Sequence, residues 1–305
     1  EMCIRDRELL SELEMLAPGD AECAMLFGKI LRRSNNDSEA LKKYTRALQL
    51  APELRGDAQL ISDLVAILGS RSAKNAQQAS SILANIVGQP AEDALTTAAA
   101  SDDSRLSENA LKTLVEIWNK RLAANPKDVD TRLKLARACF KLGDYPKAIE
   151  AYRQAIIDRP LERQNKELIL DLVQMLGTPS FALAMAALVE HVGPPAIESL
   201  EKVAPEGKTR KHANAIETLK KILKKQAQDE PANSEAPLKL ALLLVQDSGQ
   251  LGEALGLCSE ALKRNPALAV DSRVIKLLIG ALKNPDPGIA PEILAKQIGE
   301  KAIPY

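Results

Sequence analysis

The chain contains two histidines, His191 and His212, and they are the first place to look for catalysis or metal binding. Neither belongs to a His-Glu-x-x-His segment or has a partner at metal-ligand spacing. His191 stands just before a glycine helix stop at Gly193, and His212 lies on a basic turn that reads as exposed. Both read as surface or cap histidines. The segment EGKTRK (206–211) ends like a phosphate-binding P-loop, but Lys202 occupies the position where the loop needs glycine. No strand pattern precedes it, so the backbone cradle for phosphate is not expected. No Gly-x-Ser-x-Gly elbow or Gly-x-Gly-x-x-Gly turn is present. Cys3, Cys23, Cys139 and Cys258 are far apart, and three of them fall on apolar helix faces. They read as small core residues in a reducing, cytoplasmic compartment. The carboxylates are scattered along solvated faces, with no pair placed for acid–base work. The expectation is a chain with no enzymatic activity, cofactor, metal or small-molecule substrate.

The charge composition sets a second bound. Forty-one basic side chains balance 41 acidic ones, so no global field draws the chain to nucleic acid or to an anionic membrane. One local exception stands out. The segment KTRKHANAIETLKKILKKQ (208–226) carries Lys208, Arg210, Lys211, Lys220, Lys221, Lys224 and Lys225 beside an apolar stripe. It is a candidate polyanion patch, although exposed aromatics for base stacking are missing. No run reaches the roughly 18 apolar residues of a membrane span.

The elements that would position any site are helical. Apolar residues make up 46% of the chain and aromatics 3%, with alanine and leucine abundant, a composition of strong helix formers. In VDTRLKLARACFKLGDYPKAIEAYRQAIIDRP, two apolar stripes at helical spacing flank LGDYP. Leu133, Leu135, Ala136, Cys139 and Phe140 form the first, and Ala148, Ile149, Tyr152, Ala155 and Ile156 the second. Gly143 is suited to the left-handed conformation that ends the first helix, and Pro160 closes the second. The pattern occurs upstream at Gly28, Ala40, Tyr44, Ala47 and Pro52. It occurs downstream at Ala241, Ala254, Cys258, Ala261 and Pro266, with one extra residue in the turn. The spacers are also copies of one another. QLISDLVAILG (59–69), ELILDLVQMLG (167–177) and RVIKLLIGALK (273–283) each begin seven residues after a closing proline. GQPAEDAL (88–95), GPPAIESL (193–200) and GEKAIPY (299–305) follow, and NALKTLVEIW (109–118) matches NAIETLKKIL (214–223). The period is about 106 residues.

The hairpin carried by Ala136, Gly143, Tyr145, Ala148, Tyr152, Ala155 and Pro160 resembles the tetratricopeptide repeat (TPR), a 34-residue helix–turn–helix. It departs from that family at Arg132, where tryptophan is common. The spacers resemble HEAT repeats through Gly193, Pro195, Ala196, Arg210, Ala213 and Ala215, and through Gly88, Pro90, Ala91, Arg105 and Ala110. Together these resemblances imply an all-α fold, a right-handed α-solenoid of helical hairpins in which each buries its apolar face against its neighbours. The expected division is superunit one over 8–126 (TPR hairpin 21–52, HEAT-like 54–124) and superunit two over 127–231 (129–160 and 161–229). A truncated superunit three would cover 232–305 (234–266 and 268–305). The opening EMCIRDR reads as translated sequencing-adapter DNA, so residues 1–7 are expected to be foreign and the chain to be an internal fragment.

The resemblance also implies a function. The first helix of each TPR hairpin lines a concave groove that holds peptides. There the chain shows Lys29 and Arg33 in one copy and Arg137 and Lys141 in the next, each pair four residues apart on one helix face. The expected role is a protein–protein interaction scaffold that presents this basic ladder to acidic segments. In the third copy the aligned region, Leu242 to Val245, is apolar. The asparagine-containing pattern of TPR domains that bind chaperone tails is absent. Two other readings stand beside it: a helical segment of a larger enzyme or signalling protein, and a nucleic-acid-binding solenoid using residues 208–225.

Overall fold

Prolines and glycines set the rhythm of the fold. The computed structural model of the chain describes residues 12, 15, 19–204, 209–245, 248–284 and 286–299. These residues hold 16 α-helices and no strand. They form two compact units, Glu1–Tyr152 and Arg153–Tyr305.

The first unit contains α1 (Ala21–Arg33), α2 (Asp37–Leu50), α3 (Ala58–Leu68), α4 (Ala73–Ile82), α5 (Glu92–Ala98), α6 (Ser104–Ala124) and α7 (Val129–Lys141). The division from the second unit falls inside α8 (Tyr145–Asp158). Within each hairpin the two helices pack on each other. In addition, α1, α3 and α5 stack as one layer and α2, α4 and α6 as a second. The core runs between the layers. Ala40, Tyr44 and Ala47 are fully buried with Leu60, Leu64 and Leu68. Small residues where helices cross leave room for the Tyr44 ring, and Gly28 lies against it.

The second unit contains α9 (Lys166–Met175), α10 (Phe181–Ala187), α11 (Ile197–Val203), α12 (Arg210–Asp229), α13 (Glu235–Leu244), α14 (Leu251–Arg264), α15 (Ser272–Leu282) and α16 (Ala290–Ile293). It uses the same scheme, with α9 on α11, α10 on α12 and α13 on α15.

The punctuation is physical. Gly143 has φ +78°, as expected for a left-handed stop, and Asn35 takes the equivalent place in the first hairpin at φ +57°. Both stops are closed by a long backbone bond, Asp144 N–H to Cys139 O and Asn36 N–H to Leu31 O, each 2.9 Å. The seven-residue gap after each closing proline is a 3-10 turn followed by a cap. The turns are Pro52–Gly56, Pro160–Gln164 and Pro266–Val270. Asp57, Asn165 and Asp271 then accept backbone N–H bonds at the starts of α3, α9 and α15.

A further recurrence is absent from the sequence reading. The helices α4, α10 and α16 each run into a one-turn π-helix: Leu83–Val87, Leu188–Val192 and Leu294–Ile298. Each turn ends on a glycine of positive φ: Gly88 (+71°), Gly193 (+70°) and Gly299 (+59°). The residue number advances by 105 and then 106 between these glycines.

Candidate functional site

An apolar cavity with a charged rim lies in the first unit, between α5, α6 and α7. Its walls are held by specific polar contacts. Asp103 starts α6 by accepting the backbone N–H groups of Arg105 and Leu106. Asp128 starts α7, accepting Thr131 N–H at 3.0 Å and Thr131 Oγ1 at 2.7 Å. Those bonds hold the Asp128 carboxyl below its ordinary range, the backbone bond from Thr131 contributing most. Arg121 on α6 then ties the walls together. Its guanidinium is bonded to Glu92 on α5 and donates to Thr131 Oγ1 on α7 at 3.4 Å.

The cavity is an open groove of about 290 Å³. Leu111, Leu114, Trp118 and Ala138 form an apolar floor, all of them buried. Lys134, Arg137 and Lys141 on α7 form one rim, spaced so that all three share a helix face. Asp93 and Thr96 on α5 form the other rim. Three cations thus face one carboxylate. The Trp118 indole is 6% exposed, and its Nε1 has no hydrogen-bond partner. A buried N–H in that state costs roughly 1–3 kcal/mol.

Of the four residues in the expected basic ladder, Arg137 and Lys141 line this cavity and Lys29 and Arg33 do not. Lys29 is half-buried and Arg33 exposed, both on α1. Lys134, Trp118 and Asp93 were missed. The signal for Trp118 was its being the only tryptophan in the chain. Around Leu242 to Val245, in the second unit, Leu242 and Val245 are partly buried against that unit's core.

The lysine-rich region is interleaved with other partners. Lys208 lies outside the described residues. The Arg210 guanidinium sits over the Phe181 ring at 4.7 Å. Lys220 donates to Gln250 at 3.2 Å, Lys221 lies 3.4 Å from Glu217, and Lys224 lies 3.9 Å from Glu253. Lys211 is half-buried. Lys225 borders a cavity that also holds Glu190, His191, Asp229 and Glu230. His212 is not on an exposed turn. It is 9% exposed, and its Nδ1 meets Thr209 N–H at 3.2 Å and Thr209 Oγ1 at 2.7 Å in a capping box that starts α12.

Among the described residues no group of three histidine, cysteine or acidic side chains could hold a metal, and no helix is long and apolar enough to cross a membrane. Cys139 and Cys258 are buried, and burial raises both thiols, that of Cys258 to about 11. Thiols in that state are poor nucleophiles at neutral pH. Cys23 is half-buried, and Cys3 lies outside the described residues.

Family models described as "Tetratricopeptide repeat" match residues 26–58 and 91–162. The chain contains tetratricopeptide repeats. The first match falls on the α1–α2 hairpin, and the second takes in α5 to α8. TPR character therefore extends over α5–α6, which the sequence pattern groups with the HEAT-like spacers. No curated protein matches the chain. Solved structures similar to it include a monomeric mutant of IFIT1 with Gppp-AAAA, at 14% identity and a TM-score of 0.28. That alignment covers 83% of this chain and 56% of the IFIT1 chain, so the chain spans little more than half of that protein.

Proposed function

We propose that this TPR protein is a non-enzymatic scaffold that holds acidic segments of partner proteins in the α5–α7 cavity. The observation that carries the reading is the meeting of Lys134, Arg137 and Lys141 with an apolar floor closed by Trp118. An apolar side chain of the partner would lie on that floor, while flanking carboxylates would meet the cations. Buried aromatic anchors carry most of the affinity in such contacts, and rim charges set specificity. The separation of Lys29 and Arg33 from this cavity favours a single anchor point over a ladder spanning two hairpins. TPR repeats commonly serve interaction, and the non-enzymatic reading follows that usage.

The test uses a fluorescein-labelled acidic peptide with one central leucine. Anisotropy reports affinity, and emission from Trp118, the only tryptophan, reports occupancy of this cavity. Replacing Arg137 and Lys141 together by alanine removes two rim charges worth roughly 0.5–0.7 kcal/mol each, so affinity should fall about five- to tenfold. Unchanged affinity in that double variant would sink the reading, as would peptide binding with no change in tryptophan emission.

A further inference from the structure

A second cavity of the first unit, of about 520 Å³, lies between α4 and α6, on the other helix layer from the α5–α7 site. Arg71, Arg105, Lys112, Gln77, Ser80 and Asn109 line it, and no carboxylate is among its lining residues. The neighbouring acids are otherwise engaged. Glu108 pairs with Lys112 at 2.6 Å, and Asp103 is spent on the cap of α6. Arg71 and Arg105 are both exposed, and among the described residues neither guanidinium has a hydrogen bond or an ion pair.

The second unit provides an internal control. Asn109 Nδ2 donates to Leu68 O at 2.8 Å, and Asn214 Nδ2 donates to Leu176 O at the same distance. Thr113 and Thr218 bond back to the carbonyls of Asn109 and Asn214 in the same manner. The backbone frame is therefore the same, but the charges differ. Arg210, the counterpart of Arg105, is engaged by Phe181. Glu217 replaces Lys112, and it lies 3.4 Å from Lys221. Arg71 has no counterpart, because the stretch from Gly69 to Gly88 is three residues longer than that from Gly177 to Gly193. The first unit thus holds two guanidinium groups, those of Arg71 and Arg105, that its packing does not use.

Two guanidinium forks and the Gln77 amide around one pocket suit the oxygens of a single phosphate, while Ser80 and Asn109 are held in the wall by bonds to Thr113 and Leu68. Arg71, Arg105 and Lys112 set against the neighbouring Glu108 and Asp103 leave an excess of about one positive charge, the sign that a phosphate monoester of roughly −1.5 to −2 at neutral pH requires. A nucleic-acid strand would need cations repeated along its path. Along α6, however, Glu108 and Glu116 alternate with Lys112 and Lys120. We propose that the α4–α6 cavity is a phosphate-monoester site that takes a phosphorylated serine or threonine of a partner polypeptide, with Arg71 and Arg105 as paired forks.

The test is anisotropy of a fluorescein-labelled Gly-Ser peptide carrying one phosphoserine, titrated with the full chain at low ionic strength. Saturable binding is expected, at least about tenfold tighter than for the same peptide without phosphate. The R71Q/R105Q variant should lose it, while R210Q in the second unit should retain it. Both replaced side chains are exposed and unbonded, and thermal melting by circular dichroism should show the double variant as well folded as the parent. Equal binding by R71Q/R105Q or by the unphosphorylated peptide would overturn the site. So would the absence of saturation below about 5 mM, or displacement by oligothymidylate at least as effective as by inorganic phosphate.

Discussion

The Tyr44–Asp63 contact gives the sharpest test of how the first unit is held together. The Tyr44 ring is fully buried, and its hydroxyl donates to Asp63 Oδ2 at 2.6 Å, joining α2 to α3. Asp63 also accepts from Gln59 Nε2 at 3.0 Å and is only half-buried. A hydrogen bond to a charged group contributes about 1.5–3 kcal/mol. Water and Gln59 can satisfy part of the abandoned carboxylate, so Tyr44→Phe should cost the lower end, about 1.5 kcal/mol. In a cooperative unit of this size that is a drop in Tm of about 3–6 °C. Calorimetry and urea melts, read against a cycle with Asp63→Asn, should show a coupling of about 1 kcal/mol. Alkaline pH gives a second readout. Burial, and then Asp63, push the Tyr44 phenol well above its ordinary value. The folded state thus keeps the proton when the unfolded chain begins to lose it near pH 10. Stability from this source is complete below that pH and falls above it by up to about 1.4 kcal/mol per unit. The deficit of Tyr44→Phe should therefore shrink as pH rises past about 10. A variant within about 0.3 kcal/mol of the parent at neutral pH, or one with the parent's alkaline slope, would refute the reasoning.

Gly88→Ala should destabilise the first unit by about 1–3 kcal/mol through backbone strain alone, since no atom lies within 4 Å of an added Cβ; urea midpoints measure this. The Cys258 thiol, raised to about 11 by burial, should contribute stability that is complete below the usual thiol range near 8.5 and is lost as pH climbs to about 11. Cys258→Ala should flatten that part of the pH–stability curve. Arg264 donates to the carbonyls of Ala227, Glu230 and Asn233 at 3.0, 3.3 and 2.8 Å, capping α12. Arg264→Ala should cost about 2–3 kcal/mol, and faster hydrogen exchange at the end of α12 would localise the loss.

The hairpins were legible because their signals are local. Pro52, Pro160 and Pro266 cannot continue a helix, Gly143 pays no penalty at positive φ, and small residues mark the crossings. Even the third copy was readable in retrospect. Where Tyr44 is replaced by Cys258, the place of Asp63 is taken by buried Leu277, so donor and acceptor disappear together. The π-turns were not legible, because a shift from i+4 to i+5 bonding is decided by packing and leaves no residue signature beyond the glycine that follows. The sites were only half legible. Arg137 and Lys141 share a helix, and their spacing shows it. Trp118 reaches them from another helix, and Arg71 meets Arg105 across 34 positions of chain. His212 was misjudged as exposed because a neighbouring basic run says nothing about whether its ring folds back onto a cap.

The π-turn glycines also make the chain divisible. Gly88, Gly193 and Gly299 share a backbone conformation, with φ between +59° and +71° and ψ between −131° and −138°. A crossover in the gene at any two of these codons would join one glycine to the residues that normally follow another, with no new backbone geometry at the seam. Such a seam changes chain length by one whole module of 105 or 106 residues, or by both together, and leaves the order of helices within each hairpin intact. The three glycines whose backbone conformation other residues rarely adopt are in this sense its natural recombination points, where modules bearing different sites can be gained or lost.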